Sequence, residues 1–150
     1  MHTREKLKNK RIAAIDYGKR RIGLAVCDIM HITVTPKLTI DSSITDKYEE
    51  IIKFINEESV DALVVGIPLR DDDKNKEFID EIRDFIQVIQ DKSGLVVYEQ
   101  DESYSSIEAL DTMIDIGYGK KKRRHKENKD KIAAAIILRH FLESIEQNYG

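Results

Sequence analysis

Short apolar runs closed by an acid recur along the chain. Residues 11–16 (Arg-Ile-Ala-Ala-Ile-Asp) and 21–28 (Arg-Ile-Gly-Leu-Ala-Val-Cys-Asp) flank a polar Tyr17-Gly18-Lys19-Arg20 segment, the pattern of two strands joined by a tight turn. Ile32, Thr33, Val34, Thr35, Thr39 and Ile40 are β-branched, with Pro36 among them; Pro cannot donate to a ladder, so an edge strand or a broken one is predicted. Tyr48, Ile51, Ile52 and Ile55 recur at helical spacing up to Ser59 and predict a helix. Residues 60–66 (Val-Asp-Ala-Leu-Val-Val-Gly) are nearly all apolar, the mark of a strand buried on both faces and paired in parallel. Phe78, Ile79, Ile82, Phe85, Ile86 and Ile89 fall three and four apart, predicting an amphipathic helix that Gly94 stops. A fifth strand over 95–99 runs into Gln100-Asp101-Glu102. Ser105 or Ser106 can cap a helix carrying Ile107, Leu110, Met113 and Ile114, ended by Gly117 and Gly119. The last helix is predicted from about 129 to 146.

This order, a hairpin-rich start and a βαβ finish, predicts an α/β fold: a five-stranded mixed sheet, three antiparallel strands plus two parallel, flanked by helices. A single domain fills residues 1–150, with 1–10 expected as a flexible N-terminal segment.

Composition agrees with one soluble domain: 41% of residues are hydrophobic and 35% charged, and 25 Lys plus Arg against 28 Asp plus Glu leave a net charge of -3. The apolar runs are far short of the ~20 residues a membrane span needs, and the charged N-terminus lacks a secretion signal, so a cytoplasmic protein with no membrane partner is expected. The one cysteine, Cys27, sits among apolar neighbours and reads as an inert buried thiol. The near-neutral average hides a cluster, because Lys120, Lys121, Lys122, Arg123, Arg124 and Lys126 fall within seven residues.

Chemistry is suggested by where the acids stand. Asp16 ends the first strand, Asp101 and Glu102 follow the fifth, and Asp130 opens the last helix. Were the first and fifth strands neighbours, Asp16 and Glu102 would meet at the sheet edge where open α/β sheets bind ligands. A helix over that edge could add Asp130, whose i, i+3, i+4, i+7 partners Ala133, Ala134 and Ile137 form an apolar stripe. Clustered carboxylates repel unless a cation neutralises them, and oxygen ligands suit magnesium or manganese. Each acid also has a plain structural reading: an Asx turn for Asp16, a helix cap for Glu102, the helix dipole for Asp130. Asp28 is read as the terminator of the hairpin.

The segments Asp16-Tyr17-Gly18-Lys19-Arg20-Arg21-Ile22-Gly23-Leu24-Ala25-Val26-Cys27-Asp28, Val65-Gly66-Ile67-Pro68-Leu69, Asp101-Glu102 and Asp130-Lys131-Ile132-Ala133-Ala134-Ala135 together resemble the YqgF/RuvX family. The resemblance implies a ribonuclease H-like fold and a nuclease for the 5′ end of precursor 16S ribosomal RNA, once described as a Holliday junction resolvase. It implies Asp16 as central metal ligand, Glu102 and Asp130 as the other catalytic carboxylates with Asp101 beside them, and a pair of Mg2+ or Mn2+ ions. Cys27 stands where the family usually has Ser, and Ser103 where it usually has Arg.

The basic cluster, with Lys121, Lys122, Arg123 and Arg124, reads either as a solvated loop or as an arm touching nucleic-acid phosphates beside Asp130; Lys19, Arg20 and Arg21 are candidates for the same role. The expected partner is precursor rRNA or a ribosomal particle, with branched DNA as the alternative. A monomer or a weak homodimer is compatible with the sequence, and symmetric junction resolution would need the dimer. His2, His31, His125 and His140 are dispersed, and no catalytic role is expected of them. Two rival readings remain: one lobe of an actin-like ATPase, disfavoured because only one Asp-x-Gly turn is present, and a non-catalytic RNA-binding module of the same fold.

Overall fold

A computed structural model describes residues 2–69, 72–102 and 122–147. The two predicted hairpin strands, β1 (Ile12–Asp16) and β2 (Arg21–Cys27), pair antiparallel, and β3 (Val34–Asp41) adds to β2 as an edge. The β2–β3 register shifts between Leu24 and Ala25, opposite Leu38 and Pro36, as expected where a residue without an N–H interrupts a ladder. Helix α2 (Lys47–Glu58) starts on Asp46, whose carboxylate accepts from the amides of Tyr48 and Glu49, and ends at Ser59 in the left-handed conformation. It leads into β4 (Ala62–Ile67), then α3 (Asp72–Ser93), then β5 (Val97–Asp101).

The strand order is β3-β2-β1-β4-β5, with β4 parallel to both β1 and β5. The mixed five-stranded sheet is therefore as predicted, but β1 and β5 are not neighbours: β4 lies between them. That placement explains why 60–66 is so uniformly apolar, since a central strand covered by helices has no solvated face.

Strand alternation sorts the core into two layers. Ala13, Ile15, Ile22, Leu24, Val26, Leu63, Val65 and Ile67 pack under α2 and α3, against Phe54, Ile82, Phe85 and Ile89. Ile12, Ala14, Cys27, Ala62 and Val64 face the last helix, α4 (Lys122–Gln147), meeting Ile137, Leu138, Phe141 and Ile145. Cys27 is buried there, with its thiol held up by burial.

Two details differ from expectation. Helix α4 begins at Lys122, seven residues before the predicted start, so the basic segment from Lys122 onward is helix rather than loop. Lys, Arg and Glu are good helix formers even where no apolar periodicity announces them. Asp130 is thereby well inside α4, beyond the first turn over which a helix dipole acts. The N-terminus, expected as flexible, carries a short helix, α1 (Thr3–Leu7), whose Leu7 is buried against α4 and whose Arg4 pairs with Glu146 at 3.2 Å. The predicted helix with Ile107 and Leu110, and the cap at Ser105 or Ser106, lie outside the described residues. Among the described residues no helix is long and apolar enough to cross a membrane.

Candidate active site

The same alternation decides which side chains meet. Ile12 and Ala14 face α4, so Asp16, two residues further along β1, faces α4 as well. On β2 the α4 face falls to Arg21 and Gly23, on β4 to Gly66, and after β5 to Glu102, two positions beyond Gln100 and four beyond Tyr98. Tyr98 packs on Phe141 of α4 at 5.4 Å between rings. All these positions lie at one end of the sheet: Asp16 pairs with Gly23, and the Glu102 amide donates to the Ile67 carbonyl at 2.9 Å.

Two glycines let the parts close up. A Cβ on Gly23 would run into the carbonyl of Asp130, so the bare backbone of β2 allows α4 to lie directly on it and brings Asp130 over the strand end. A Cβ on Gly66 would come within 2.6 Å of Ile137 Cδ1 and 3.2 Å of Glu102 Cγ. Because β4 separates β1 from β5, Asp16 and Glu102 belong to backbones about 9–10 Å apart, and the bare Gly66 between them gives its room to the side chains of Ile137 and Glu102.

The electrostatics show that three acids sense one another. Burial, then the charge of Asp130, and further Glu102, push the Asp16 carboxyl up to about 7, against an opposing pull from Lys129. Glu102 is 5% exposed. Burial raises its pKa, while a hydrogen bond from His140 opposes that rise: Nδ1 lies 2.7 Å from Oε1 and 3.1 Å from Oε2. The Asp130 carboxylate, also largely buried, is met by Arg21 Nε at 3.1 Å. Asp101 is exposed and turned to the opposite face, the side on which Glu99 pairs with Arg83 of α3 at 3.3 Å.

The donor set of Asp16, Glu102 and Asp130 is all oxygen, and Asp16 is a carboxylate whose ionisation a cation would restore; both features suit Mg2+ or Mn2+. Among the described residues no three acid, imidazole or thiol groups are drawn together tightly enough to ligate one ion as they stand. Glu102 is oriented by His140 and Asp130 is engaged with Arg21, so ions would be held by Asp16 with Glu102 on one side and, once Arg21 yields, with Asp130 on the other.

Of the basic candidates, Lys19 is exposed at the turn and Arg20 is largely exposed, reaching Asp41 at 3.5 Å. Arg21 is turned inward to Asp130. Arg123 and Arg124 lie in the first turn of α4, and Lys121 is outside the described residues. Asp28 is structural, its carboxylate accepting from the amides of Ile32 at 2.7 Å and Thr33 at 2.8 Å. His31, with φ 59, reaches the Lys10 carbonyl at 2.8 Å. Two contributors escape sequence reasoning, Lys129 and His140. Their signal was position on α4, since Lys129 precedes Asp130 and His140 lies seven residues after the buried Ala133.

The profile of the RuvX family, described as a Holliday junction resolvase, matches residues 10–144. The chain belongs to the RuvX family. A relative from Amoebophilus asiaticus, named "Putative pre-16S rRNA nuclease", is 39% identical over 93% of this chain and 98% of its own. One of the same name from Bacteroides fragilis is 33% identical over 89% and 96%. Among solved structures, T. thermophilus RuvC in complex with a Holliday junction substrate superposes with a TM-score of 0.54 at 16% identity, over 94% of this RuvX chain and 96% of RuvC. The fold is ribonuclease H-like.

Proposed function

We propose that this RuvX chain is a divalent-metal-dependent endonuclease that hydrolyses phosphodiester bonds at the 5′ end of precursor 16S rRNA. The observation that carries the chemistry is the convergence of Asp16, Glu102 and Asp130, from β1, the end of β5 and α4, such that burial and the other two acids push Asp16 up to about 7. The RNA substrate follows from the name of the relatives that match nearly end to end. Asp16, with Glu102 on one side and Asp130 on the other, would hold the ions. Bound Mg2+ or Mn2+ supplies an activated water and neutralises charge on the phosphate.

The protein's own part is positional. Asp16 is held at its strand end by pairing with β2. Tyr17, on the opposite face, anchors that end by donating its hydroxyl to Glu81 at 2.6 Å and packing on Phe85 at 4.6 Å. Lys19, Arg20 and the basic start of α4 supply cations for the phosphate backbone. Arg21 holds Asp130 and is close enough to the strand end to meet a phosphate once displaced.

The test is cleavage of a labelled precursor 16S rRNA 5′-leader fragment and of a matched four-way DNA junction, with Mg2+ or Mn2+, by wild type and Asp16→Asn. Wild type is expected to cut the RNA. The variant should lose more than the about 10–100-fold that loss of an outer partner of a metal costs, while its metal-free unfolding midpoint is equal or higher because one of three repelling carboxylates is gone. Cutting of the junction alone would favour a resolvase. No cutting of either would leave an RNA-binding module.

A further inference from the structure

Glu102 is the one buried charged residue among those described, and its carboxylate is held in an unusual way. Its backbone amide is tied to the Ile67 carbonyl at 2.9 Å, and its Cγ passes beside the bare face of Gly66. Its head meets a single ring nitrogen that reaches both oxygens, His140 Nδ1, at 2.7 Å and 3.1 Å. An ionised carboxylate can only accept, so Nδ1 is the donor. The ring is carried on α4 between Ile137 and Phe141, both buried, and the His140 side chain is 34% exposed. The backbone and Cγ of Glu102 are thus located by β4, through Ile67 and Gly66, and its head by α4.

We infer that His140 is a positioning residue for this active site: its Nδ1–H, presented from α4, fixes the plane of the Glu102 carboxylate so that the remaining lone pairs face Asp16. The inference rests on the reading of Glu102 as a metal ligand and adds an outer partner to it. Carboxylates that ligate metals are themselves hydrogen-bonded, and such partners orient the ligand before the ion arrives. Without His140, Glu102 would keep its place on the chain but lose its orientation, and a buried carboxylate would be left short of a donor. The geometry also ties α4 to the site twice, through Asp130 and, more than two turns later, through His140.

The experiment uses the full chain and Mn2+ alone, with affinity measured by calorimetry for wild type, His140→Ala and His140→Asn, alongside unfolding midpoints. Asn places an amide N–H close to where Nδ1–H stood. His140→Ala is expected to bind Mn2+ about 10–100-fold more weakly, and His140→Asn to recover most of that loss. A purely structural bond would shift the midpoints without separating the Mn2+ affinities, and equal or tighter binding by His140→Ala overturns the inference. A long-range proton–nitrogen NMR spectrum of metal-free wild type reads the bond itself. A protonated Nδ1 on His140, altered in Glu102→Gln, is expected, and its absence overturns the positioning role alone. If that signal is present but wild type binds no Mn2+, the metal reading falls, and the role of His140 with it.

Discussion

Arg21 Nε stands 3.1 Å from Asp130 Oδ2, joining the first residue of β2 to the middle of α4. Arg21 reads from sequence as a phosphate contact, and in the fold it pairs with Asp130, the acid whose charge raises Asp16, while Lys129 is the cation that pulls Asp16 down. A cation bound between Asp16 and Asp130 would compete with this guanidinium for Asp130.

Arg21→Gln is therefore expected to lower the metal-free unfolding midpoint by about 2–4 °C, the shift of about 1 kcal/mol in a chain of this length. Added Mn2+ should then raise the midpoint more in the variant than in wild type. Thermal unfolding with and without Mn2+ checks this, and a variant that gains less than wild type contradicts the account.

The closeness of α4 to the sheet depends on Gly23. Gly23→Ala would push a methyl into the Asp130 carbonyl, which is backbone and cannot swing aside, whereas Gly66→Ala meets the flexible end of Ile137 at 2.6 Å. Gly23→Ala should cost about 1–3 kcal/mol or more, measured by urea unfolding, and Gly66→Ala less. The opposite order would mean that α4 is not seated on β2 as described.

Asp28, at the far end of β2, gives a pH signature remote from the acids. Hydrogen bonds from the backbone, Thr33 first and then Ile32, hold its carboxyl below the ordinary 3.8. The folded protein thus binds that proton more weakly than the unfolded chain, so the stabilisation is present above 3.8 and lost as pH falls through the lowered value. The gap in unfolding midpoint between wild type and Asp28→Asn should be constant near neutrality and shrink in acid. A gap that widens in acid would reverse the sign.

The basic cluster over residues 120–126 predicts how substrate binding responds to salt. Neutralising Lys121, Arg123 and Arg124 to Gln should weaken binding of the RNA leader fragment. It should also flatten the plot of log affinity against log salt by about 0.7–0.9 per lost phosphate contact. A slope that does not change would assign these residues to solvent.

The sequence by itself determined the five strands, α2, α3 and the buried part of α4. Apolar runs of strand length marked 11–16, 21–28 and 60–66, and the three-four spacing of Ile79, Ile82, Phe85, Ile86 and Ile89 marked α3, because period two and period 3.6 report on one element's own geometry. The acids at element ends and the family motifs singled out Asp16, Glu102 and Asp130. The early start of α4 was illegible because residues 122–129 are polar or charged throughout: helix propensity without a buried stripe leaves no pattern to read. Periodicity is also silent about neighbours. That β4 separates β1 from β5, that Gly23 and Gly66 open the way for α4 and for Glu102, that Arg21 turns inward, and that His140 reaches Glu102 across 38 residues were decided by packing in three dimensions. A hydrogen bond between distant residues depends on how two elements lie against each other, and no local spacing encodes that.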